Sequence, residues 1–379
     1  MEPGAIALAA IYWVYCIRQL KRLVVAMFVG SSNSIGGRFC IRFFDSPVKH
    51  GSNIGYGNYR NDRSVCLTWS DLARYALTLD GFGAVKPDQI SADFYLALVR
   101  QLLDVDSSGQ WIGRSQYLGG ESSFKTAYSF FLGSVAAAYM AEKEYGVSLL
   151  MHVLDPTLLA AHKGRYCDFF AVKDDGTALL FEAKGTTKSQ LRGSTVASAR
   201  RQLASISSVK DTSSGRTYTS FERHIVGSCM PQGLFEIHDI DPPGKEPGTV
   251  EFSFDEAAWF HYGAVAAAMG SGEALPRSRP NDFVMFDCGA VEVGATSAIS
   301  ELIEEYRHIV THDGFYGKIR DILAQDLETD EMKLEQSPKI EVEKSEDSLM
   351  SIGRDGIVVR LKSDYAPYGF FLEAPDGSI

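Results

Sequence analysis

Apolar and polar residues alternate along the chain in a way that predicts a mixed α/β fold. Residues 122–146, "SSFKTAYSFFLGSVAAAYMAEKEYG", have apolar side chains on most helical faces. They predict a long, largely buried helix, with Ser122 or Ser123 as its cap and Gly146 at its end. "VSLLMHVL" then predicts a strand. "RYCDFFAVKDDGTALLFEAKG" predicts a hairpin, because two runs of strand-forming residues flank the turn sequence "KDDG".

A second helix and a further strand follow the predicted hairpin. The helix opens at Gly193 and Ser194, and it has one apolar side, made of Val196, Ala199, Leu203 and Ile206. "SFERHIVGSCM" predicts the strand. Residues 116–240 are therefore predicted to form a core with the order helix, three strands, helix, strand.

The segments before this core predict an accessory N-terminal region over residues 1–115. "GRFCIRFF" predicts a strand and "KHGSNIGYGNYRNDRS" a loop. The helices "TWSDLARYALTL" and "SADFYLALVRQLLDV" and the polar stretch "DSSGQWIGRSQ" come next. Ser70 is the predicted cap of the first helix, and Ser91 or Asp93 that of the second.

The segments after the core also predict mainly helical additions. Residues 241–324 contain the helical patterns "DEAAWFHYGAVAAAMG" and "SAISELIEEYRHIV" and form a predicted extension of the core. Residues 325–349 are rich in acids and lysine, with few aromatics, and predict a solvated acidic linker or a loose helix. In residues 350–379, "GIVVRLKS" and "YGFFLEAPDG" could pair as a small hairpin.

The first residues, "AIALAAIYWVYC", are apolar, but "IRQLKR" follows at once. The run is too short to span a membrane, and its positive charges follow it rather than precede it. We favour an amphipathic packing helix that continues through "LVVAMFVG", and expect no integral membrane association. A membrane-surface anchor and a true start at Met27 are the alternatives.

Composition narrows the classes of function. The 379 residues, 45% of them hydrophobic, suffice for two domains or for one large domain with additions. The net charge of -11 argues against a generally basic surface, although it does not exclude a local basic cleft. The six cysteines are scattered without a CxxC pair, so we expect a reducing, cytoplasmic location. The sequence has no P-loop, GxSxG or strand-linked GxGxxG motif.

Three charged residues of the predicted hairpin stand out, because charges rarely lie on buried strands unless they are paired or functional. Glu182 and Lys184 point to one face of their strand and Ala183 to the other. The turn brings Asp168 close to Glu182. Two converging carboxylates favour a cation between them, and oxygen ligands suit Mg²⁺ or Mn²⁺. Lys184 could then stabilise charge on a phosphodiester or help deprotonate water. The plainer alternative is a surface Glu–Lys pair at a sheet edge.

This pattern, Asp168 followed by Glu182-Ala183-Lys184 on these elements, resembles the PD-(D/E)xK nuclease superfamily. The resemblance covers roughly residues 120–230 and implies a restriction-endonuclease-like core with a mixed central sheet. It implies that Asp168, Glu182 and the backbone carbonyl of Ala183 bind the metal, and that Lys184 positions or activates the water. The residue before Asp168 is Cys167 rather than proline, a position at which members vary.

The resemblance adds two further candidates. Gln202, on the helix after the motif, matches a glutamine that faces the active site in some exonuclease-like members; an ordinary helix-surface glutamine is the alternative. Glu121 could supply a further carboxylate, as some members do from that helix, or could simply be favoured by the dipole at the helix start.

The segment from Lys184 to Arg223 is basic, with eight Lys or Arg against two acids. Phosphate contacts are therefore predicted for four of its residues, Lys188, Arg192, Arg200 and Arg201. A solvated helix face is the alternative.

The histidines are less informative. His152 is interpreted as a strand histidine with a structural role, and His162 leans the same way. His308 and His312 have a spacing of four, which can bind a metal from one helix. No third ligand is evident and Asp313 and Gly314 indicate a helix end, so a metal site is not favoured.

The favoured function is a metal-dependent nuclease that hydrolyses phosphodiester bonds of DNA, with RNA as the second choice. By fold-level analogy it would suit a bacterial restriction, repair or anti-phage system. A separate ATPase, helicase or sensor protein could be its partner, and a homodimer would suit double-strand cleavage. A binding module that keeps the fold without turnover is the main alternative. A non-nuclease enzyme with the same triad is another.

Overall fold

The computed structural model describes residues 36–45, 49–50, 53–54, 56–79, 98–153, 166–242, 248–271, 275, 283–289, 291–309, 311–334 and 350–362. The predicted N-terminal helix with its alternatives, the caps Ser91 and Asp93, His162 and the segment "YGFFLEAPDG" lie outside these residues.

The described residues form strands that we number in chain order: β1 (Gly36–Phe44), β2 (Lys49–His50), β3 (Asn53–Ile54), β4 (Tyr59–Thr68), β5 (Leu103–Val105), β6 (Trp111–Gly113), β7 (Leu150–His152), β8 (Phe169–Val172), β9 (Ala178–Gly185), β10 (Ser208–Asp211), β11 (Thr217–Tyr218), β12 (Phe221–Cys229), β13 (Glu236–Ile240), β14 (Thr249–Phe252), β15 (Phe283–Asp287), β16 (Val291–Thr296), β17 (Met350–Ile352) and β18 (Ile357–Leu361).

We number the helices with fully described bounds α1 (Trp69–Thr78), α2 (Ser115–Gly119), α3 (Ser122–Tyr139), α4 (Gly193–Ala204), α5 (Phe254–His261), α6 (Gly263–Ser271), α7 (Ser297–Tyr306) and α8 (Phe315–Leu334); residues 98–102 are also helical. Helix α3 runs on into a π-helical turn at Met140–Glu144.

The centre of the fold is a seven-stranded mixed sheet with the order β4-β1-β13-β12-β9-β8-β7. Strands β7, β8 and β9 form an antiparallel meander, and β12 then runs parallel to β9. The parallel pairing requires a crossover, and the chain between β9 and β12 supplies it with α4. The protein is therefore a mixed α/β chain with a mixed central sheet.

Helix α3 lies directly on strand β9, because two glycines allow the backbones to meet. A Cβ at Gly185 would lie 1.7 Å from the carbonyl oxygen of Ser129, and one at Gly133 would lie 2.6 Å from the backbone of Lys184. Helix α3 thus covers the face of β9 to which Ala183 points. The opposite face is left to Glu182 and Lys184.

Smaller sheets surround the central one. A three-stranded sheet has the order β11-β10-β14, a four-stranded sheet has the order β15-β16-β18-β17, and β2-β3 and β5-β6 form two-stranded pairs. Helix α1 packs against β17 and β18 and also contacts α3, so it joins the four-stranded sheet to the helix beneath β9.

The predicted order helix, three strands, helix, strand is observed as α3, β7, β8, β9, α4 and β12, with β10 and β11 inserted before the last strand. The predicted caps of α1 and α3 were wrong. Helix α3 is capped by Glu121, and α1 by Thr68, whose capping box with Asp71 satisfies both backbone ends better than Ser70 could.

The N-terminal region contains more strand than predicted. The expected loop "KHGSNIGYGNYRNDRS" includes β2, β3 and most of β4, which pairs antiparallel with β1 at the sheet edge. Most side chains of β4 are exposed. An edge strand held by backbone bonds needs no apolar alternation, so the sequence pattern did not reveal it. Strands β1 and β4, from the region expected to be accessory, belong to the central sheet.

The C-terminal region also differs from the prediction. Strand β18, from "GIVVRLKS", pairs with β16 along one edge and with β17 along the other. Both edges of β18 are thus used by described strands, while the segment "YGFFLEAPDG", its predicted partner, lies outside the described residues. Strands β15 and β16 interrupt the predicted helical extension, and α8 continues to Leu334, into the predicted linker. In the part of the chain that the structure describes, no helix has the length and apolar character needed to cross a membrane.

Candidate functional site

The β8–β9 hairpin brings the three predicted residues together. The turn closes with a hydrogen bond from Lys173 N to Thr177 O (2.9 Å), and Phe169 pairs with Phe181 in the ladder. Asp168, one residue before β8, is thereby placed beside the end of β9. Its Oδ2 accepts a hydrogen bond from the backbone N–H of Ala183 at 2.8 Å.

Lys184 lies next to both carboxylates. Its ammonium donates a hydrogen bond to Oε1 of Glu182, and its Nζ is 3.7 Å from Oδ2 of Asp168. Glu182 is fully buried, at 0% side-chain exposure, whereas Asp168 and Lys184 keep 14% and 20%. The cluster therefore opens to solvent through the lysine and the aspartate, while the glutamate forms its floor.

Burial dominates the electrostatics of the two acids. It raises the pKa of the Glu182 carboxyl to about 8, and the nearby charge of Asp168 acts in the same direction while Lys184 opposes it. Burial also raises the pKa of Asp168, against the effects of Lys184 and of the Ala183 N–H. At neutral pH the cluster therefore holds more protons than two ordinary carboxylates would.

One carboxylate oxygen of the cluster lacks a hydrogen-bond partner. Oε2 of Glu182 is buried and accepts no bond from any described residue. A buried carboxylate oxygen without a partner is costly, so it is expected to serve a ligand. The backbone carbonyl of Ala183 lies on the same strand edge as its N–H, the edge that Asp168 occupies.

This donor set fits a hard divalent cation. Two carboxylates and one carbonyl supply only oxygen, and Mg²⁺ usually takes one or two carboxylates and completes its shell with water and phosphate. Among the described residues, no group of three or more His, Cys, Asp or Glu side chains is placed to hold a metal ion. A site built from Asp168 and Glu182 would thus depend on the Ala183 carbonyl, water and substrate for its remaining ligands.

No family model, curated protein or solved structure matches this chain. The PD-(D/E)xK assignment therefore stays a prediction carried by the residues themselves.

Gln202 lies close to the cluster without joining it. Its Nε2 donates a hydrogen bond to the backbone carbonyl of Tyr166 at 3.0 Å, two residues before Asp168. Gln202 thus fastens α4 to the segment that carries the aspartate. In the described structure no hydrogen bond links it to Asp168, Glu182 or Lys184, and its predicted role at the site stays a prediction.

The predicted phosphate-contacting residues follow the cluster in the chain. Lys188, Arg192 and Arg201 are exposed and Arg200 is half-buried. None of the four forms an ion pair with an acid in the described ranges. The loop between β9 and α4 is fixed at two points, since the carbonyl of Lys188 accepts a hydrogen bond from Met230 N (2.8 Å) and Leu191 N donates one to Tyr56 Oη (2.8 Å).

Glu121 and His152 have structural contacts. The Glu121 side chain accepts a hydrogen bond from Ser123 N at 3.0 Å and so caps α3, which agrees with the helix-start interpretation. His152 is enclosed, with its ring 4.3 Å from that of Phe169, and burial lowers its pKa to about 4. It is therefore a neutral strand histidine at physiological pH.

His308 and His312 do not share a helix. Helix α7 ends at Tyr306, so their spacing of four no longer places them on one helical face. His312 stacks on Trp259, with ring centroids 4.4 Å apart, and His308 lies 3.9 Å from Glu304.

A second polar cluster lies on the Glu182 face of the sheet, and no sequence pattern predicted it. The register aligns Lys184 with Gly227, and Gly227 with His238. His238 contacts Glu236 through Nε2 and Tyr56 through Nδ1, both at 3.0 Å. Glu236 and His238 lie on one strand, β13, but Tyr56 comes from a distant loop, so sequence spacing does not predict the three-residue cluster. Gly133 and Gly185 were missed for the same reason, since their contact joins distant parts of the chain.

Proposed function

We propose that this protein is a metal-dependent nuclease of the PD-(D/E)xK type, built on a restriction-endonuclease-like core and cutting DNA in the cytoplasm. The observation that carries the proposal is the buried Glu182 carboxylate, whose Oε2 has no described partner, beside Asp168 and the partly exposed Lys184. A structural ion pair would satisfy its acceptors, whereas a metal site leaves them for its cation.

Each member of the cluster has a distinct role in this proposal. Asp168, Glu182 and the Ala183 carbonyl would hold Mg²⁺ or Mn²⁺. When bound, the cation would neutralise phosphate charge and lower the pKa of water. Glu182 must lose its proton first, because its pKa is raised to about 8, so metal affinity should increase as pH rises toward that value.

Lys184 supplies a positive charge at the solvent side of the cluster. Its ammonium can leave Glu182 once a cation takes that carboxylate. It can then donate a hydrogen bond to the attacking water or to a non-bridging phosphate oxygen, where negative charge develops. Lys188, Arg192, Arg200 and Arg201 would hold the flanking phosphates.

The main alternative is a binding module with the same fold and no turnover. The three motif residues are all present, and they contact one another in one cluster. A chain that had lost turnover would have no need to keep a fully buried glutamate with an unpaired oxygen. This favours the enzyme. A separate ATPase or sensor partner, and a homodimer for double-strand cleavage, are further parts of the proposal.

Cleavage of plasmid and single-stranded DNA with Mg²⁺, Mn²⁺ or EDTA tests the proposal. We expect metal-dependent cutting by the wild type and at least a hundredfold loss in Asp168→Ala and Lys184→Ala. Lys173→Ala is the matched control, because Lys173 lies on the same hairpin, has a similar 22% exposure and pairs with Glu222 instead. Its activity should be unchanged.

Two outcomes would contradict the nuclease. Cutting that continues in EDTA, or that both motif variants retain, would place the activity elsewhere. If the folded wild type binds nucleic acid but cuts none with either metal, the binding module is the better account. RNA substrates in the same assay decide between DNA and RNA.

A further inference from the structure

The first turns of α3 carry several exposed aromatic side chains. Phe124 is 61% exposed and Phe130 is 39% exposed, while Tyr128 is half-buried. Ser122 and Ser123, just before Phe124, and Thr126, between Phe124 and Tyr128, are also exposed. The surface is therefore aromatic and polar rather than aliphatic.

Three aromatic rings form a ladder from solvent into the core. The rings of Phe124 and Tyr128 stack at 6.1 Å with an interplanar angle of 28°. Tyr128 contacts Tyr117 in turn, with ring centroids 6.4 Å apart. Tyr117 is fully buried and its hydroxyl lies 2.8 Å from Ser129 Oγ. The buried end fixes the ladder, so the exposed rings are held in place.

The helix that carries the ladder packs on the strand of the candidate site. The carbonyl of Ser129 touches Gly185 and Gly133 touches the backbone of Lys184, so α3 and the site strand are in direct contact. Tyr128 lies five residues before Gly133, about 7.5 Å along the helix axis. The first turns of α3 thus lie near the end of β9, on the face opposite to the side chains of Glu182 and Lys184.

Positive charge accompanies the ladder. Lys125 occupies the same turns of α3. The backbone of Lys188 is fixed to Met230, and Met230 and Leu118 both lie within 3.2 Å of the position that a Cβ on Gly113 would take. The Lys188 loop therefore lies beside the end of α2, near Tyr117 at the buried end of the ladder. Stacking surfaces combined with basic groups are typical of sites for unpaired nucleotides.

We propose that Phe124 and Tyr128 form a stacking platform for unpaired bases of the substrate, which is therefore single-stranded nucleic acid or a duplex with an unpaired segment. The inference rests on the proposed nuclease function and names its substrate class. Every base has an aromatic face, so the platform would accept bases without sequence preference, and the strand would pass around the end of β9 to reach Lys184. An apolar protein partner is the competing occupant.

Fluorescence of 2-aminopurine tests the platform without cleavage. Short single strands carry the probe at successive positions and are titrated with protein in EDTA. We expect quenching at one position or two adjacent ones for the wild type and for Phe124→Trp. Phe124→Ala and Phe124→Leu should lose the quenching and bind about tenfold more weakly. Phe260→Ala, which removes an exposed ring on α5, should behave like the wild type.

Several results would overturn the inference. Unchanged binding by Phe124→Leu would mean that only apolar volume matters, as in a protein interface. Quenching that survives in Phe124→Ala would place the stacked base elsewhere. If duplex DNA is cut in a metal-dependent manner but single strands are not bound, the platform is wrong and the nuclease stands. If the wild type neither binds nor cuts any nucleic acid, both proposals fail.

Discussion

Two buried charged clusters lie near α3 and the turn that follows it, and they differ in how their charges are satisfied. Near its middle α3 packs on the backbone of Lys184, whose side chain belongs to the site cluster of Asp168, Glu182 and Lys184 on the opposite face of β9. The π-helical turn that follows α3 carries Glu142, which forms a different cluster with Arg74 and Asp355. The site cluster combines two acids with one base, whereas Lys143 and His261 also contact the acids of the other cluster.

In the cluster of Arg74, Glu142 and Asp355, which we name the Arg74 cluster, every carboxylate oxygen has a partner. Arg74 contacts both oxygens of Glu142, at 2.7 and 2.9 Å, and its Nη1 lies 3.6 Å from Asp355. Its Nε donates to Ser351 Oγ at 2.9 Å. His261 contacts the other oxygen of Asp355 at 2.8 Å. This cluster ties α1, the π-helical turn, α5 and the β17–β18 turn into one body.

The pKa directions of the two acids follow from this difference. Burial alone would raise the pKa of Asp355, but the contacts with His261 and Arg74 hold it below its usual value. Burial raises the pKa of Glu182 to about 8, because one lysine cannot compensate for a neighbouring carboxylate and an unpaired oxygen. Asp355 and Glu182 are similarly buried, yet their pKa values shift in opposite directions, because Asp355 has more hydrogen-bond donors and positive charges around it.

The largest expected effect is on stability, from Arg74→Met. It removes the arginine that Glu142 and Asp355 share, which leaves Lys143 beside the first acid and His261 beside the second, and it should lower the free energy of unfolding by about 3–5 kcal/mol, measured by urea denaturation. Arg60→Met is the matched control. Arg60 also pairs with two acids, Asp45 and Asp241, but all three side chains are well exposed, so the loss should stay below about 1 kcal/mol. Equal effects of the two variants would contradict the comparison.

The second expected effect is a pH dependence of opposite sign at the two clusters. Glu182 has an ordinary pKa of 4.5 when unfolded and about 8 when folded. The folded state therefore holds the extra proton between these values, and stability falls as pH rises through that window, by at most about 1.4 kcal/mol per unit. Asp355 has a lowered pKa, so its contribution is lost as pH falls below about 3.8, its unfolded value.

Glu182→Gln isolates the first of these contributions. In this variant the stability should no longer fall between pH 4.5 and 8, while the loss of stability below about pH 3.8, which comes from Asp355, should remain. Chemical denaturation at a series of pH values measures both changes in stability. A decline that persists in Glu182→Gln would show that another group carries it.

The smallest expected effect concerns the rim of the site. If Lys188 contacts a phosphate, Lys188→Ala should weaken nucleic-acid binding modestly and reduce the slope of log K against log salt concentration by about 1. Arg354→Ala, at the exposed side of the Arg74 cluster where Arg354 pairs with Asp174, should leave the slope unchanged. An unchanged slope in Lys188→Ala would remove Lys188 from the interface.

The sequence predicted those parts of the fold that depend on short spacings. The turn "KDDG" and the alternation on β9 sufficed to place Asp168, Glu182 and Lys184 together. Periodicity also located α3 and α4. Each of these signals comes from residues within one or two elements of one another, where side-chain direction follows directly from helix or strand geometry.

The rest depended on contacts between distant segments. The Arg74 cluster joins three separate parts of the chain, at Arg74, Glu142 and Asp355. Its local sequences do not distinguish these residues from ordinary surface charges. Strand β4 has mostly exposed, polar side chains, so only its pairing with β1 makes it a strand. The Gly133–Lys184 contact could not be predicted from the sequence either, because a glycine in a helix can occur for several different reasons.

Titration of Mn²⁺ by calorimetry tests the central claim, that the unpaired carboxylate of the site cluster is kept for a cation. The account predicts a single Mn²⁺ site in the wild type that is lost in Asp168→Asn and in Glu182→Gln. Glu222→Gln, which changes an exposed acid on β12, should keep it. Absence of Mn²⁺ binding in the folded wild type, or equal binding by all four proteins, would contradict the account.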